Sequence, residues 1–233
     1  MKVIVPLAGP DFVLPNGMAK SEVVFADDQP LLTWTLNSRS WVRDGLVSSH
    51  DFVFVLHDNP VSRRFAENKL SEWYPGSTVM FTSCYTQGAA FTALIAVAVL
   101  PDHLNEAICI DLADIYYQEN VDLDVSLINS NGGGALALTF QSTDPRYSYL
   151  RLNNVGKVIE CQEKKVISQT ASAGTYWFRS AKIYLDSLSY VLENQGEFLH
   201  HNLYFVCPVL NGVIDAGFDV RIAPVSDVID IKL

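Results

Sequence analysis

Short apolar runs recur along the chain, separated by polar or amphipathic stretches. Val3-Ile4-Val5-Pro6-Leu7, Phe52-Val53-Phe54-Val55-Leu56, Thr78-Val79-Met80-Phe81, Ala107-Ile108-Cys109-Ile110 and Ala135-Leu136-Ala137-Leu138-Thr139-Phe140 lack the alternation of a half-exposed strand. Each predicts a strand covered on both faces. Between them, Leu31 to Val42, Ser62 to Trp73 with Ser62 as N-cap, Gly88 to Leu100 behind Thr86, and Val121 to Asn129 read as helices. This alternation predicts an α/β fold: a sheet mostly parallel in the first half, with helices on both faces.

After Phe140 the texture changes. Tyr147 to Leu152, a turn at Asn153 to Gly156, and Lys157 to Glu160 predict an antiparallel hairpin. Thr175 to Phe178 predicts another strand, Ala181 to Leu192 a helix, and Val220 to Ala223 a late strand. The second half is thus expected to extend the same mixed sheet antiparallel. No linker or repeat divides residues 1–233, so one domain is expected.

Composition narrows the function classes. With 49% hydrophobic residues in 233, roughly 70% of the chain's surface can leave water on folding. The 16 Lys+Arg against 26 Asp+Glu give a net charge of −10, which excludes a basic footprint for nucleic acid. Any phosphate must therefore be met by local cations, backbone N–H groups or a metal ion. The apolar stretch at Ala93 to Leu100 is far short of the roughly 20 residues that cross a bilayer, so no membrane insertion is expected. Met1 to Ala8 reads as an internal strand rather than a signal peptide, and the expected location is the cytoplasm. Cys84, Cys109, Cys161 and Cys207 form no CxxC pair and read as buried thiols.

In open α/β sheets ligands sit beyond the carboxyl ends of the strands. Four such loops carry candidate chemistry. Ala8 and Gly9 after the first strand, with Lys20 nearby, suit a phosphate, although a tight turn and a solvated lysine is the plain alternative. Gln87 and Gly88 at a strand-to-helix junction suit a base edge, or simply cap a helix. Asp111 and Asp114 end an apolar strand, where unpaired carboxylates are costly unless they serve a cation such as Mg²⁺. Glu163 and Lys164 could hold ligand hydroxyls and phosphate oxygens, or form a charged turn. His57, His103, His200 and His201 lack any matching spacing and read as structural or surface residues.

Taken in order, these motifs resemble the sugar nucleotidyltransferase family, whose members share the glycosyltransferase A type of Rossmann-like fold. The resemblance runs over nearly the whole chain: Val3 to Gly9, Lys20, Gln29-Pro30-Leu31-Leu32-Thr33-Trp34, Gln87-Gly88-Ala89-Ala90, Asp114-Ile115, Asp144 to Tyr149, Glu160 to Lys164, and Ala173 to Phe178. It implies transfer of a nucleoside monophosphate from an NTP to a sugar phosphate or similar phosphorylated acceptor, with release of pyrophosphate and Mg²⁺ as cofactor. Carried over residue by residue, it makes Lys20 and Asp114 catalytic, and places Ala8, Gly9, Gln87 and Gly88 at the nucleotide. Tyr147, Glu163, Lys164 and Gly174 fall at the acceptor. Asp114 and Asp230, the latter in Val228-Ile229-Asp230-Ile231, are the implied metal ligands.

The first loop departs from the family pattern Gly-x-Gly-Thr/Ser-Arg. Here it reads Gly9-Pro10-Asp11-Phe12-Val13: Pro10 removes an N–H donor, Asp11 repels phosphate, and no arginine precedes Arg39. Turnover below that of an ordinary transferase, or none, is therefore expected. Two alternatives stay open: a non-catalytic module that binds a nucleotide or nucleotide-sugar, and a glycosyltransferase using Asp111 and Asp114 as its metal motif. The base, the acceptor and any homo-oligomer are also open.

Overall fold

A computed structural model describes residues 1–26, 28–119 and 132–231; the helix expected over Val121 to Asn129 lies outside them. In chain order the elements are β1 (Lys2–Leu7), a two-stranded ribbon β2 (Val24–Ala26) and β3 (Gln29–Pro30), α1 (Leu31–Asn37), α2 (Ser40–Arg43), β4 (Phe52–His57), α3 (Pro60–Phe65), α4 (Ser71–Trp73), β5 (Thr78–Thr82), α5 (Ala89–Ala98), β6 (Ile108–Asp111), β7 (Ile115–Glu119), β8 (Gly133–Gln141), β9 (Tyr149–Leu152), β10 (Val158–Gln162), β11 (Thr170–Phe178), α6 (Ala181–Glu193), α7 (Gln195–Phe198), α8 (Val206–Asp215) and β12 (Asp219–Asp230).

The main sheet runs β5-β4-β1-β6-β11-β8-β12-β7, with β9 and β10 added beside β11. β5, β4, β1 and β6 pair in parallel, whereas β11 is antiparallel to both β6 and β8 and β7 is antiparallel to β12. The expected division into a parallel half and an antiparallel extension is present, modified by a parallel β8–β12 pair. Alternate residues of the central strands feed two cores because successive side chains point to opposite faces. Ile4, Val53 and Val55 pack with Ala93 and Ala96 of α5 on one face. Val3, Val5 and Phe54 pack with Trp41, Phe65 and Trp177 on the other.

Three expected helices are corrected. The helix over Leu31 to Val42 breaks after Asn37, where Arg39 takes up an extended conformation (φ −72°, ψ 127°) and sends a fully buried side chain to Asp111. The run from Ser62 to Trp73 begins earlier: Asn59, not Ser62, is the N-cap, accepting from the Ser62 N–H at 2.9 Å with Pro60 in the first turn. It then widens into a π-helical turn over Ala66–Leu70 before α4. α5 is shorter than expected, starting at Ala89.

α8, which contains Pro208 and Gly212, carries no sequence expectation. Pro208 lies in the first turn, where its missing N–H costs nothing. Gly212 is at the crossing with α6: a Cβ there would lie 2.5 Å from Ser187 Cα and O, so only hydrogen lets the two backbones approach. Cys109, Cys161 and Cys207 are buried as expected; Cys84 is exposed, in the loop after β5.

Candidate functional site

The carboxyl ends of β1 and β6 meet the far end of β12. After β1 the loop doubles back, with the Phe12 N–H donating to Gly9 O at 3.2 Å and the Lys20 N–H to Phe12 O at 2.8 Å. Phe12 anchors it edge-on against Phe65. The Lys20 ammonium is thereby brought to the site and donates to Asp11 Oδ2 at 3.3 Å. The Asp11 carboxylate leans over Gly9, its Oδ1 2.6 Å from where a Cβ would stand.

The two carboxylates that end β6 have different tasks, which corrects their reading as one metal motif. Asp111 is fully buried and turned inward. Its Oδ2 accepts from Arg39 Nε at 2.9 Å and Thr175 Oγ1 at 2.9 Å. Its Oδ1 accepts from Arg39 Nη2 at 3.1 Å and the Ala113 N–H at 2.8 Å. With both oxygens committed, Asp111 is a structural ion-pair partner. Ala113, at φ 53°, turns the chain between the two carboxylates, and Asp114 lines a cavity instead.

Asp114 is half-buried, and its backbone carbonyl accepts from the Ile231 N–H at 3.0 Å, which sets Asp230 at the end of β12 beside it. Burial pushes the Asp114 carboxyl up to about 6; Lys20 opposes that rise, and Asp230 and Asp111 add to it. Its Oδ1 is buried without a hydrogen-bond partner among the described residues. An orphaned carboxylate oxygen beside a second carboxylate fits a hard divalent cation such as Mg²⁺, which takes one or two protein carboxylates and completes its shell with water and phosphate oxygens. No group of three His, Cys, Asp or Glu side chains suited to a metal occurs among the described residues.

Two cavities meet here. The first, of about 440 Å³, is lined by Ala8, Gly9, Asp11, Lys20, Thr86 and Gly88. The second, of about 380 Å³, is lined by Arg146, Tyr147, Ser148, Glu163, Lys164 and Gly174. Asp114, Leu112 and Phe205 line both. In the second cavity, Ser148 Oγ donates a short hydrogen bond to Glu163. Burial still pushes the Glu163 carboxyl up to about 7, against the pull of Ser148 and Lys164. The Lys164 ammonium lies 5.2 Å from the centre of the Phe205 ring. Gly174 sits at φ 81° within an irregularity of the β11–β8 pairing between Ser172 and Tyr176, bringing β11 backbone to Asp114. Burial and the neighbouring Asp230 push the Tyr147 hydroxyl up to about 12.

Lys20, Asp114, Asp230, Tyr147, Glu163, Lys164, Ala8, Gly9, Gly88 and Gly174 thus come together around these cavities. Gln87 does not: its side chain is exposed and lines neither cavity, while its carbonyl accepts from the Tyr204 N–H at 2.8 Å. Gly88 is explained by packing, because a Cβ there would lie 2.3 Å from Tyr204 O. Arg146 and Phe205 escaped sequence reasoning. Arg146 reaches Asp230 at 3.6 Å and had a signal in its place ahead of the hairpin; Phe205 had none. Of the histidines, His103 pairs with Glu106 at 2.8 Å, and His57 packs tilted against Tyr85 with ring centres 4.1 Å apart.

No family model matches the chain, and no curated protein matches it in sequence. Solved structures do resemble it. A nucleoside-diphosphate-sugar pyrophosphorylase from Vibrio cholerae RC9 superposes with a TM-score of 0.80 at 19% identity, over 99% of this chain and 95% of that one. An inositol-1-phosphate CTP transferase from T. maritima gives 0.69 at 16% identity, over 99% and 89%. A UDP-glucose pyrophosphorylase from Acinetobacter baumanii gives 0.64 at 17% identity, over 98% and 87%. The chain therefore has the sugar nucleotidyltransferase fold. No helix among the described residues is long and apolar enough to cross a membrane.

Proposed function

We propose that the chain is a nucleotidyltransferase, taking a nucleotide in the 440 Å³ cavity and a phosphorylated small-molecule acceptor in the 380 Å³ cavity. The observation that carries this reading is Asp114, whose side chain stands in the wall common to both. An acceptor phosphate oxygen would attack the α-phosphate of the nucleotide; the new P–O bond forms as the bond to the β-phosphate bridging oxygen breaks, and pyrophosphate leaves. In-line displacement needs positioning and charge neutralisation more than proton transfer.

Each of this chain's residues then has a task of that kind. Asp114 and Asp230 would hold Mg²⁺, which when bound lowers the charge on the phosphates. Lys20 would meet the nucleotide phosphates; Arg146 and Lys164 would meet the acceptor phosphate, with Glu163 and the Gly174 backbone binding its hydroxyls. The Asp111–Arg39 pair withdraws one carboxylate from the metal motif that a glycosyltransferase reading requires. A non-catalytic nucleotide-binding module is the second reading, favoured by the Asp11–Lys20 contact. The test is pyrophosphate release from each of the four NTPs against a panel of sugar 1-phosphates and inositol 1-phosphate with Mg²⁺. Release that needs one NTP and one acceptor together supports transfer. Mg²⁺-dependent nucleotide binding without release supports the module.

A further inference from the structure

We infer that Asp11 is a specificity residue of the nucleotide cavity. It occupies Lys20 and so weights the cavity against the free tail of a nucleoside triphosphate. Nucleoside monophosphates are correspondingly favoured. The inference rests on the reading of the two cavities as nucleotide and acceptor sites.

Three observations support it. Among the described residues lining the 440 Å³ cavity, Lys20 is the single Lys or Arg, against two carboxylates, Asp11 and Asp114. That lysine is already engaged, with its side chain only 18% exposed and its ammonium 3.3 Å from Asp11 Oδ2. The loop offers few donors in compensation, because Pro10 has no N–H and Gly9 lies beneath the Asp11 carboxylate. A triphosphate tail turned toward this loop meets a negative charge where it needs a positive one. The second cavity is no freer of negative charge, since Arg146 there pairs with Asp144 at 2.6 Å and Lys164 shares the lining with Glu163 and Asp230, so the preference concerns the length of the phosphate tail at this loop. Gly9 is what permits the arrangement, since any Cβ at that position would displace the Asp11 side chain from above the loop.

The experiment measures affinity by calorimetry, with Mg²⁺, for the four nucleoside triphosphates and their monophosphates, in the natural protein and in Asp11→Asn. Asp11 is 74% exposed, so the exchange keeps shape and fold, which a thermal melt verifies. Removing one charge beside several phosphate charges in a well-solvated setting should shift the triphosphate-to-monophosphate affinity ratio about tenfold toward triphosphate. That gain should shrink at high salt and disappear in the Asp11→Asn/Lys20→Ala double variant. A ratio that stays within about twofold in Asp11→Asn, while both proteins bind monophosphates, overturns the inference and leaves the functional reading standing. Failure of both proteins to bind any nucleotide overturns the functional reading and the inference with it.

Discussion

Replacing Asp111 by Asn separates the structural carboxylate from the functional one. Arg39 is fully buried. It lies 3.7 Å above the Tyr117 ring and donates to Ser38 Oγ at 3.1 Å and to Ile115 O at 2.9 Å in addition to Asp111. Both Asp111 oxygens accept two hydrogen bonds. An amide keeps one acceptor oxygen and turns an N–H₂ toward either the Arg39 Nε and Thr175 side or the Arg39 Nη2 and Ala113 side. Two donors then face each other, and a buried guanidinium loses its counter-charge. Breaking one side of such a pair costs about 3–5 kcal/mol, or roughly 6–20 °C of melting temperature for a chain of this size. Urea melts at pH 7 measure this, and the Arg39→Met/Asp111→Leu double variant should recover much of the loss, since apolar replacement of a whole buried pair is often neutral. Below its melting temperature Asp111→Asn should retain Mg²⁺-dependent nucleotide binding. Destabilisation under about 1 kcal/mol, typical of an exposed pair, would refute the assignment.

Two further outcomes follow from packing and burial. Gly212→Ala should destabilise the fold by about 1–3 kcal/mol, read in the same melts, because the added methyl meets Ser187 backbone rather than a side chain that can move. The Glu163 carboxyl, raised to about 7, binds its proton more tightly folded than unfolded. Its contribution is therefore present below the ordinary carboxylate range and lost as pH rises through about 7. Metal-free protein should melt at a higher temperature at pH 5 than at pH 8, and Glu163→Gln should flatten that slope; an equal slope in the variant would contradict the placement of Glu163.

The parallel strands were legible because β1, β4 and β6 are covered on both faces and so are apolar except at an end residue, Lys2, His57 or Asp111. β7 was not, since Ile115-Tyr116-Tyr117-Gln118-Glu119 mixes aromatic and polar residues at the margin of the sheet. Arg39 breaks the expected helix over Leu31 to Val42 through a partner 72 positions away, a contact no local pattern encodes. At the site, Asp114 stood out because a carboxylate ending an apolar strand is costly without a purpose, Lys20 as a cation near the glycine of the first loop, and Glu163 and Lys164 as a charged pair after the hairpin. The division of labour between Asp111 and Asp114 depends on one left-handed residue, Ala113, which a run of Asp-Leu-Ala-Asp does not disclose. Gln87 was misplaced for a similar reason: the close approach of Gly88 to Tyr204 turns the segment so that its backbone, not its side chain, does the bonding.

The central claim is that one carboxylate, Asp114, serves both cavities. Its direct test is a calorimetric titration of Asp114→Asn with nucleotide in the presence and absence of Mg²⁺, alongside the natural protein and Asp111→Asn. The natural protein and the folded Asp111→Asn variant should bind in a Mg²⁺-dependent manner. Asp114→Asn should lose on the order of 2 kcal/mol or more of that binding while its metal-free fold becomes no less stable, because a carboxylate held at about 6 by burial opposes folding at neutral pH. Undiminished Mg²⁺-dependent binding in Asp114→Asn would contradict the account.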